Sequence, residues 1–323
     1  GKGTRMRSAL PKVLHPLAGR PLLRHVLDAA EALGAARICT IYGHGGEQVP
    51  KALADADCAW VEQAERLGTG HAVMQALPEL SEMDRLLVLY GDVPLIEAET
   101  LNRLIENSAE TDLGLLTMTL DDPTGYGRIV RDANGSVMRI VEQKDASEEE
   151  QRIVEINTGV MLCPGARLKG WLDRLGNDNA QGEYYLTDVI EMAVGDGVTV
   201  HGVKAGSQEE GMGINDKKQL ATAERALQAR LVDELMVEGV GFADPARVDI
   251  RGTLKCGKDV FIDVNNVFEG DVELGDGVRV ESNNVIRDSR IGPGSVIHPN
   301  CHFEGATTGA DCELGPFARM RPG

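Results

Sequence analysis

The sequence predicts an α/β domain with a mostly parallel sheet, a bridging helix, and the first coils of a left-handed parallel β-helix. Three observations support this. Helical and strand patterns alternate from residue 1 to about residue 215, as they do in successive βαβ units. An amphipathic stretch follows them. Beyond that stretch, apolar residues recur at every sixth position, which is typical of hexapeptide repeats.

The first elements of the α/β domain are a helix and a strand. A strand is predicted over residues 38–42, after a helix over residues 21–33 that Gly34 ends. The helix is predicted because one face would carry Leu22, Val26, Ala29, Ala30 and Leu33.

A second strand is predicted over residues 86–90, where the sequence is continuously apolar. Such a run is typical of a buried parallel strand. Gly91 and Asp92 follow it directly. Because α/β sheets bind ligands at the carboxyl ends of their strands, Asp92 is a candidate ligand-binding residue.

The second half begins with a helix over residues 217–237, with Asp216 as a candidate cap and Gly239 as its end. The predicted domains are therefore residues 1–215, a bridging helix at 216–239, and a β-helix at 240–323. The repeat positions form three runs: Cys256, Ile262, Phe268, Leu274, Val280 and Ile286; Ile291, Ile297 and Phe303; and Thr308, Leu314 and Met320.

Composition excludes several functional classes. The formal net charge is -18 and no basic run occurs, so a nucleic-acid partner is not expected. No apolar stretch approaches the ~18 residues of a membrane span, and no secretory signal is present. Six cysteines without a C-x-x-C pair favour reduced thiols and a cytoplasmic location.

The N-terminal segment carries a candidate phosphate-binding loop. Gly1 and Gly3 allow the backbone to approach a phosphate closely, and Arg5 and Lys12 add two positive charges. A bare glycine turn before a helix is the alternative for this loop taken alone.

Asp92 and Asn215 are candidate ligands of Mg²⁺, which prefers hard oxygen donors. The alternatives are a turn or cap aspartate at residue 92 and a helix cap at residue 215. Neither residue alone decides between these interpretations.

Taken together, nine ordered motifs resemble the sugar-nucleotidyltransferase family. Within it they resemble the bacterial bifunctional N-acetylglucosamine-1-phosphate uridyltransferases and glucosamine-1-phosphate acetyltransferases, whose first domain is Rossmann-like. The resemblance covers essentially the whole chain. The motifs are G-K-G-T-R-M at 1–6, P-K-V-L-H at 11–15, E-Q-A-E-R-L-G-T-G-H-A at 62–72, Y-G-D-V-P-L at 90–95, D-P-T-G-Y-G-R-I at 122–129, V-E-Q-K-D at 141–145, I-N-T-G at 156–159, G-E-Y-Y-L-T-D at 182–188 and G-I-N-D at 213–216.

The resemblance implies uridylyl transfer from UTP to N-acetylglucosamine 1-phosphate, giving UDP-N-acetylglucosamine and pyrophosphate for cell-envelope synthesis. It implies that Arg5, Lys12 and Asp92 act in catalysis and that Asp92 and Asn215 hold Mg²⁺. The implied substrate-binding residues are Gly1, Gly3, Thr4, Arg5 and Lys12 for the phosphates; Gln63, Gly68 and Thr69 for uracil; Tyr90 and Gly91 for the nucleotide; and Gly127, Glu142, Asn157 and Thr158 for the sugar.

The β-helix resembles the acetyl-CoA-dependent half of the same family, which acts as a homotrimer, and Arg321 matches a phosphate-binding arginine of that second site. The chain begins inside the glycine loop and stops inside a repeat. We therefore expect truncation at both ends, with uridyltransfer and little acetyltransfer.

Three alternatives remain open at this stage. The chain could be a nucleotidyltransferase for another sugar 1-phosphate or base. It could be a non-catalytic subunit of nucleotidyltransferase type. It could also be chiefly an acyltransferase trimer with a structural first domain.

Overall fold

A computed structural model describes residues 4–43, 46–80 and 85–322, except for the side chain of Thr4. The chain divides into two units. The first comprises residues 1–14 and 22–216, and the second comprises residues 15–21 and 217–323. The predicted domain boundaries at residues 215/216 and 239/240 stay a prediction.

The α-helices are α1 Leu22–Ala32, α2 Gln48–Ala52, α3 Thr69–Leu80, α4 Ala98–Glu106, α5 Gly165–Leu172, α6 Asp188–Gly195 and α7 Lys217–Val237. Short 3-10 helices cover Thr4–Met6, Lys12–Leu14, Glu150–Arg152 and Pro245–Arg247. The strands are β1 Pro16–Leu17, β2 Arg20–Pro21, β3 Cys39–Gly43, β4 Ala59–Gln63, β5 Arg85–Val88, β6 Leu113–Thr119, β7 Arg128–Arg131, β8 Val137–Val141, β9 Glu155–Pro164, β10 Val200–Lys204, β11 Gly241–Phe242, β12 Val248–Cys256, β13 Phe261–Ile262, β14 Asn266–Leu274, β15 Arg279–Val280, β16 Val285–Arg287, β17 Arg290–Ile291, β18 Val296–Ile297, β19 His302–Glu304, β20 Glu313–Leu314 and β21 Arg319–Met320.

The first unit has the α/β architecture that the sequence predicts. Strands β3 and β4 pair in parallel, as do β6 and β10. Helix α1 begins and ends within one residue of its predicted bounds and buries Leu22, Val26 and Ala29. These apolar residues lie on one face because their spacing matches the helical period.

The large sheet differs from prediction because it is mixed rather than mostly parallel. Strand β9 runs antiparallel between β5 and β6, and the hairpin β7–β8 adds further antiparallel pairs. The reason is the return of the chain through this hairpin into β9, a long-range pairing that local periodicity does not encode. Strands β5, β6 and β10 still point the same way.

Strand β5 covers Arg85–Val88, so Leu89 and Tyr90 of the predicted strand extend beyond its paired part. Among the described residues, β5 pairs with β9 alone. Its residues are half-buried instead of fully buried, because they line a cavity that also borders β3. The strand therefore ends beside open space, where the chain continues into Gly91 and Asp92.

The second unit includes residues 15–21, which the sequence predicts to be part of the first domain. Strands β1 and β2 form a small hairpin over residues 16–21. The backbone N–H of Ala18 donates to Glu224 of α7 at 2.7 Å, and Leu17 is fully buried. Helix α7 itself has the bounds that the sequence predicts.

The rest of the second unit is a parallel β-helix. Strands β12, β14, β16, β19 and β21 stack in one parallel sheet, and β11, β13, β15, β18 and β20 stack in another. Phe268 pairs with Ile250 and Ile286, which are 18 residues away on either side, whereas Ile286 pairs with Phe303. That shorter coil agrees with the predicted break in the six-residue period between Ile286 and Ile291.

Most of the predicted ladder residues lie in the interior of the β-helix, whereas Thr308, Leu314 and Met320 near the end of the chain are only partly buried. Ile262, Val280 and Ile297 are all fully buried. Buried asparagines form a second ladder at one corner: Asn266 accepts from the backbone of Asn284 at 2.9 Å, and Asn284 accepts from the backbone of Cys301 at 2.7 Å. The amide ladder satisfies backbone N–H groups that the turn would otherwise leave unpaired.

Candidate active site

Three predicted site residues from distant parts of the chain converge. Lys12 forms an ion pair with the carboxylate of Asp92, and its Nζ donates to Asn215 Oδ1 at 3.1 Å. The lysine and aspartate side chains are 13% and 23% exposed, so this contact is largely screened from water. The structure therefore brings together one cation and two oxygen donors at the end of β5.

The backbone holds this cluster in place. Asp92 O accepts from the N–H of Ile214 at 2.8 Å, and Ile214 is fully buried. Asn215 Nδ2 donates to Gly213 O at 3.3 Å. These bonds fix the turn after Asp92 against the segment that delivers Asn215.

The oxygens of Asp92 and Asn215 fit a divalent metal ion. Both are hard donors, and they already converge on one positive charge, the ammonium of Lys12. No group of three or more His, Cys, Asp or Glu residues suited to a metal occurs in the described part of the chain. Two protein ligands suit Mg²⁺, which is commonly bound by one or two side chains together with waters and substrate phosphates.

The glycine loop is only partly described. Gly1 and Gly3 lie outside the described residues, and Thr4 begins the 3-10 helix Thr4–Met6. The side chain of Arg5 is exposed. Lys12 begins the next 3-10 helix, Lys12–Leu14, whose Leu14 N–H donates to Pro11 O at 2.9 Å.

A cavity of about 910 Å³ opens beside this cluster. Five of the predicted residues contribute to its wall: Lys12, Thr69, Tyr90, Gly91 and Asp92. Most of its lining residues are apolar and come from α1, α3, β3 and β5, so only the polar end of the cavity, next to Lys12 and Asp92, belongs to the candidate site.

The predicted uracil-reading residues are close together. Gln63 ends β4, is 9% exposed, and donates from Nε2 to Gly68 O at 3.0 Å. Gly68 has a φ of 108°, and an added Cβ would lie 2.6 Å from Tyr184 O. Thr69 begins α3 and accepts from the N–H of Leu186 at 3.1 Å.

Tyr90 joins this segment to the rest of the site. Its phenol hydrogen-bonds with Thr69, and burial together with the nearby charge of Glu142 raises its pKa to about 12. The phenol therefore stays neutral at working pH. Its ring lies against Gly159, where an added Cβ would be 2.6 Å from Cε2.

The predicted sugar-binding residues form one further cluster. Gly127 O accepts from the N–H of Asn157 at 2.8 Å, and an added Cβ on Gly127 would lie 3.5 Å from the Glu142 carboxylate. Burial raises the pKa of Glu142, and its bond from Thr187 at 3.1 Å opposes that shift. Thr158 Oγ1 donates to Leu116 O at 2.8 Å, so its hydroxyl is hydrogen-bonded to the backbone of β6.

The family of the chain follows from comparison with known proteins. Residues 1–154 match the model of the MobA-like NTP transferase domain. Over all 323 residues the chain is 58% identical to the bifunctional protein GlmU of Azoarcus sp. (strain BH72), covering 72% of that protein. It is 56% identical to the bifunctional protein GlmU of Janthinobacterium sp. (strain Marseille) and 57% identical to that of Aromatoleum aromaticum, covering 71% of each. The chain belongs to the bifunctional GlmU family.

Membership of the GlmU family confirms the predicted family, the α/β nucleotidyltransferase fold and the prediction of a nucleotidyltransferase enzyme. Nucleotidyltransferases of this kind use a divalent metal, in agreement with the oxygen donors of Asp92 and Asn215. The roles of the individual site residues stay predictions.

Arg321, predicted for the second site, follows β21 with an exposed side chain. Across the described residues, every helix is too short or too polar to cross a bilayer.

Three residues beside the candidate site were not predicted from the sequence. The Tyr126 phenol lies near Asp92. Burial raises the pKa of Tyr126, and the charge of Asp92 adds a smaller effect in the same direction. Arg128 is 1% exposed and donates to Tyr126 O and, at 2.6 Å, to Gln143 Oε1. Gly159 contacts Tyr90. All three lie in the quoted motifs at 122–129 and 156–159, and the burial of the Arg128 side chain becomes visible only in the fold.

Proposed function

We propose that this chain transfers uridylyl from UTP to N-acetylglucosamine 1-phosphate with Mg²⁺, giving UDP-N-acetylglucosamine and pyrophosphate. This is the function that the sequence predicts, and membership of the GlmU family supports it. The observation that carries the proposal is the convergence of Lys12, Asp92 and Asn215 at the end of β5. The hydrogen bond of Tyr90 with Thr69 and the nearby charges of Glu142 and Asp92 support the proposal, because they link this cluster with the predicted base and sugar residues.

The reaction is an in-line displacement at the α-phosphorus of UTP. A phosphate oxygen of the sugar 1-phosphate forms the new P–O bond, and the bond to the departing pyrophosphate breaks. The attacking oxygen is already anionic at neutral pH, so no general base is required. Positioning and charge neutralisation therefore supply most of the catalysis.

Lys12 neutralises phosphate charge in this scheme. Its ammonium now bridges Asp92 and Asn215, and binding of a divalent cation to these two oxygens would release it toward the triphosphate. Arg5, which is exposed on the same N-terminal segment, supplies a second positive charge. When bound, Mg²⁺ supplies Lewis-acid stabilisation of charge on the phosphate oxygens.

The remaining predicted residues bind the two substrates. Gln63, Gly68 and Thr69 hold the uracil, and Tyr90 and Gly91 line the nucleotide. Gly127, Glu142 and Asn157 hold the sugar, where the carboxylate and amide oxygens accept hydrogen bonds from hydroxyl and N-acetyl N–H groups.

We also infer a cytoplasmic homotrimer assembled through the β-helix, with acetyl-CoA as the co-substrate of the second activity. The six cysteines are free thiols, which agrees with a reducing compartment. Sedimentation of the purified protein would test the oligomeric state directly.

A substrate panel tests the proposed function. Pyrophosphate release is measured with UTP, CTP, dTTP, ATP and GTP against N-acetylglucosamine, glucosamine and glucose 1-phosphates, with and without Mg²⁺. We expect turnover to be highest for UTP with N-acetylglucosamine 1-phosphate and to require the metal. Preference for another pair would instead favour a nucleotidyltransferase of different specificity, and no turnover with any pair would favour a non-catalytic subunit.

A further inference from the structure

Gln63 is held by two contacts that together fix the orientation of its amide. Nε2 donates to Gly68 O at 3.0 Å and lies 3.1 Å from His71 Nδ1. A backbone carbonyl can only accept, so the atom facing Gly68 must be the amide nitrogen. Gln63 is 9% exposed, and burial restricts alternative rotamers. Its Oε1 is therefore directed away from both partners.

The contact with Gln63 also fixes the tautomer of His71. An amide N–H that faces Nδ1 needs an acceptor there, so the neutral ring carries its proton on Nε2. Nε2 lies 3.3 Å from the amide of Gln75, which must then present its oxygen to that proton. The ring of His71 is also packed beside Tyr184, at 6.4 Å between centroids.

We propose that His71 is a positioning residue that sets base specificity by orienting the amide of Gln63. This inference rests on the proposed function, in which Gln63 reads uracil. With Nε2 held by Gly68 O and His71 Nδ1, Gln63 presents its oxygen acceptor to the base. Without the acceptor on His71, Gly68 O alone holds the amide nitrogen, and we expect the amide to rotate more often and present its N–H₂ group.

The two orientations select different pyrimidines. Uracil carries an N–H donor at N3, which an amide oxygen accepts. Cytosine carries an acceptor at N3, which needs an N–H donor. A site whose polar group faces the wrong partner discriminates strongly, because a buried group is left unpaired. Fixing the amide therefore converts a residue that could read both bases into one that favours uracil.

The test measures the ratio of kcat/KM for UTP to that for CTP in His71→Leu, with N-acetylglucosamine 1-phosphate and Mg²⁺. We expect this ratio to fall roughly tenfold or more, the effect of losing one hydrogen bond. His71→Asn keeps an oxygen acceptor near the position of Nδ1 and should retain most of the preference. Glu79→Gln on the exposed part of the same helix is the matched control and should leave the ratio unchanged.

His71→Phe covers the case in which His71→Leu does not fold, because it keeps a ring beside Tyr184 without a nitrogen acceptor. An unchanged UTP:CTP ratio in the folded Leu or Phe variant would overturn the inference and show that Gly68 O alone orients Gln63. A wild-type enzyme without preference for UTP would instead contradict the proposed function. The two failures are thus distinguishable.

Discussion

Replacing Asp92 by asparagine is the most direct test of the active site. The substitution keeps the shape of the side chain and leaves the main-chain bond from Ile214 intact, but it removes the negative charge that faces Lys12 and the metal. Loss of a metal ligand or its supporting contact commonly costs ~10–100-fold or more in activity. We therefore expect kcat at saturating UTP, sugar phosphate and Mg²⁺ to fall at least about tenfold, which is ~1.4 kcal/mol of transition-state stabilisation.

Asp92→Asn should lower the stability of the fold only modestly. The Lys12–Asp92 side chains are 13% and 23% exposed, so the pair lies between exposed pairs worth up to about 1 kcal/mol and buried pairs whose disruption costs about 3–5 kcal/mol. We expect a loss of about 1–2 kcal/mol in the free energy of unfolding, which leaves a typical protein folded.

The assay pairs pyrophosphate release with thermal unfolding of the same preparation. Asp112→Asn is the matched control, because Asp112 is 22% exposed and pairs with His201 Nε2 at 2.8 Å. That variant should keep its turnover. If Asp92→Asn turned over at the wild-type rate in saturating Mg²⁺, Asp92 would have no part in metal binding, and the proposed arrangement would be wrong.

Three further predictions follow from the geometry. Gly159→Ala should lower kcat/KM for UTP about tenfold or more. The new Cβ would lie 2.6 Å from the Tyr90 ring, on a residue whose φ is 90°, and such overpacking costs about 1–3 kcal/mol. Unchanged steady-state kinetics would contradict this prediction. Burial raises the pKa of Glu142 above 4.5, so protonation of its carboxylate as pH falls should raise KM for the sugar phosphate. The phosphate of the substrate titrates at about pH 6 in both enzymes, and Glu142→Gln should therefore lack only the part of the rise that comes from Glu142. Parallel KM profiles of wild type and variant would refute a role for the carboxylate. The hydrogen bond with Glu281 raises the pKa of His298 above 6.5. The stabilisation that protonated His298 contributes is therefore fully present below pH 6.5 and is lost as pH rises through the higher pKa of the folded state. The difference in melting temperature between wild type and His298→Gln should shrink over that interval, and a constant difference would contradict this prediction.

Local patterns in the sequence predicted helices α1 and α7 and strands β3 and β5 to within two residues at each end. Helix α7 has its predicted bounds and β3 is displaced by one residue, because apolar periodicity and glycine stops are encoded within a few neighbouring residues. The hexapeptide period predicted which residues fill the β-helix. The proximity of Asp92 to Asn215 was implied by the family resemblance, since sequence spacing alone cannot bring residues so far apart together.

Features that depend on long-range pairing could not be predicted. The antiparallel course of β9 arises from contacts with β5 and β6, and nothing in its own sequence distinguishes it from a parallel strand. The salt bridge between Lys12 and Asp92, and the contact of Gln63 with His71, join side chains whose relation is defined only after folding. The role that we propose for His71 rests on such a contact, so its position in the sequence could not predict it.

The hairpin over residues 16–21 has a consequence for separating the two units of the chain. Because it belongs to the second unit while the residues on either side belong to the first, the polypeptide passes between the units three times. A single cut near residue 216 would leave the fully buried Leu17 without the surroundings that cover it. A chimaeric enzyme that takes its two units from different relatives should therefore receive the hairpin together with α7 and the β-helix. Both strands of the hairpin then come from the same parent as the helix that Ala18 contacts.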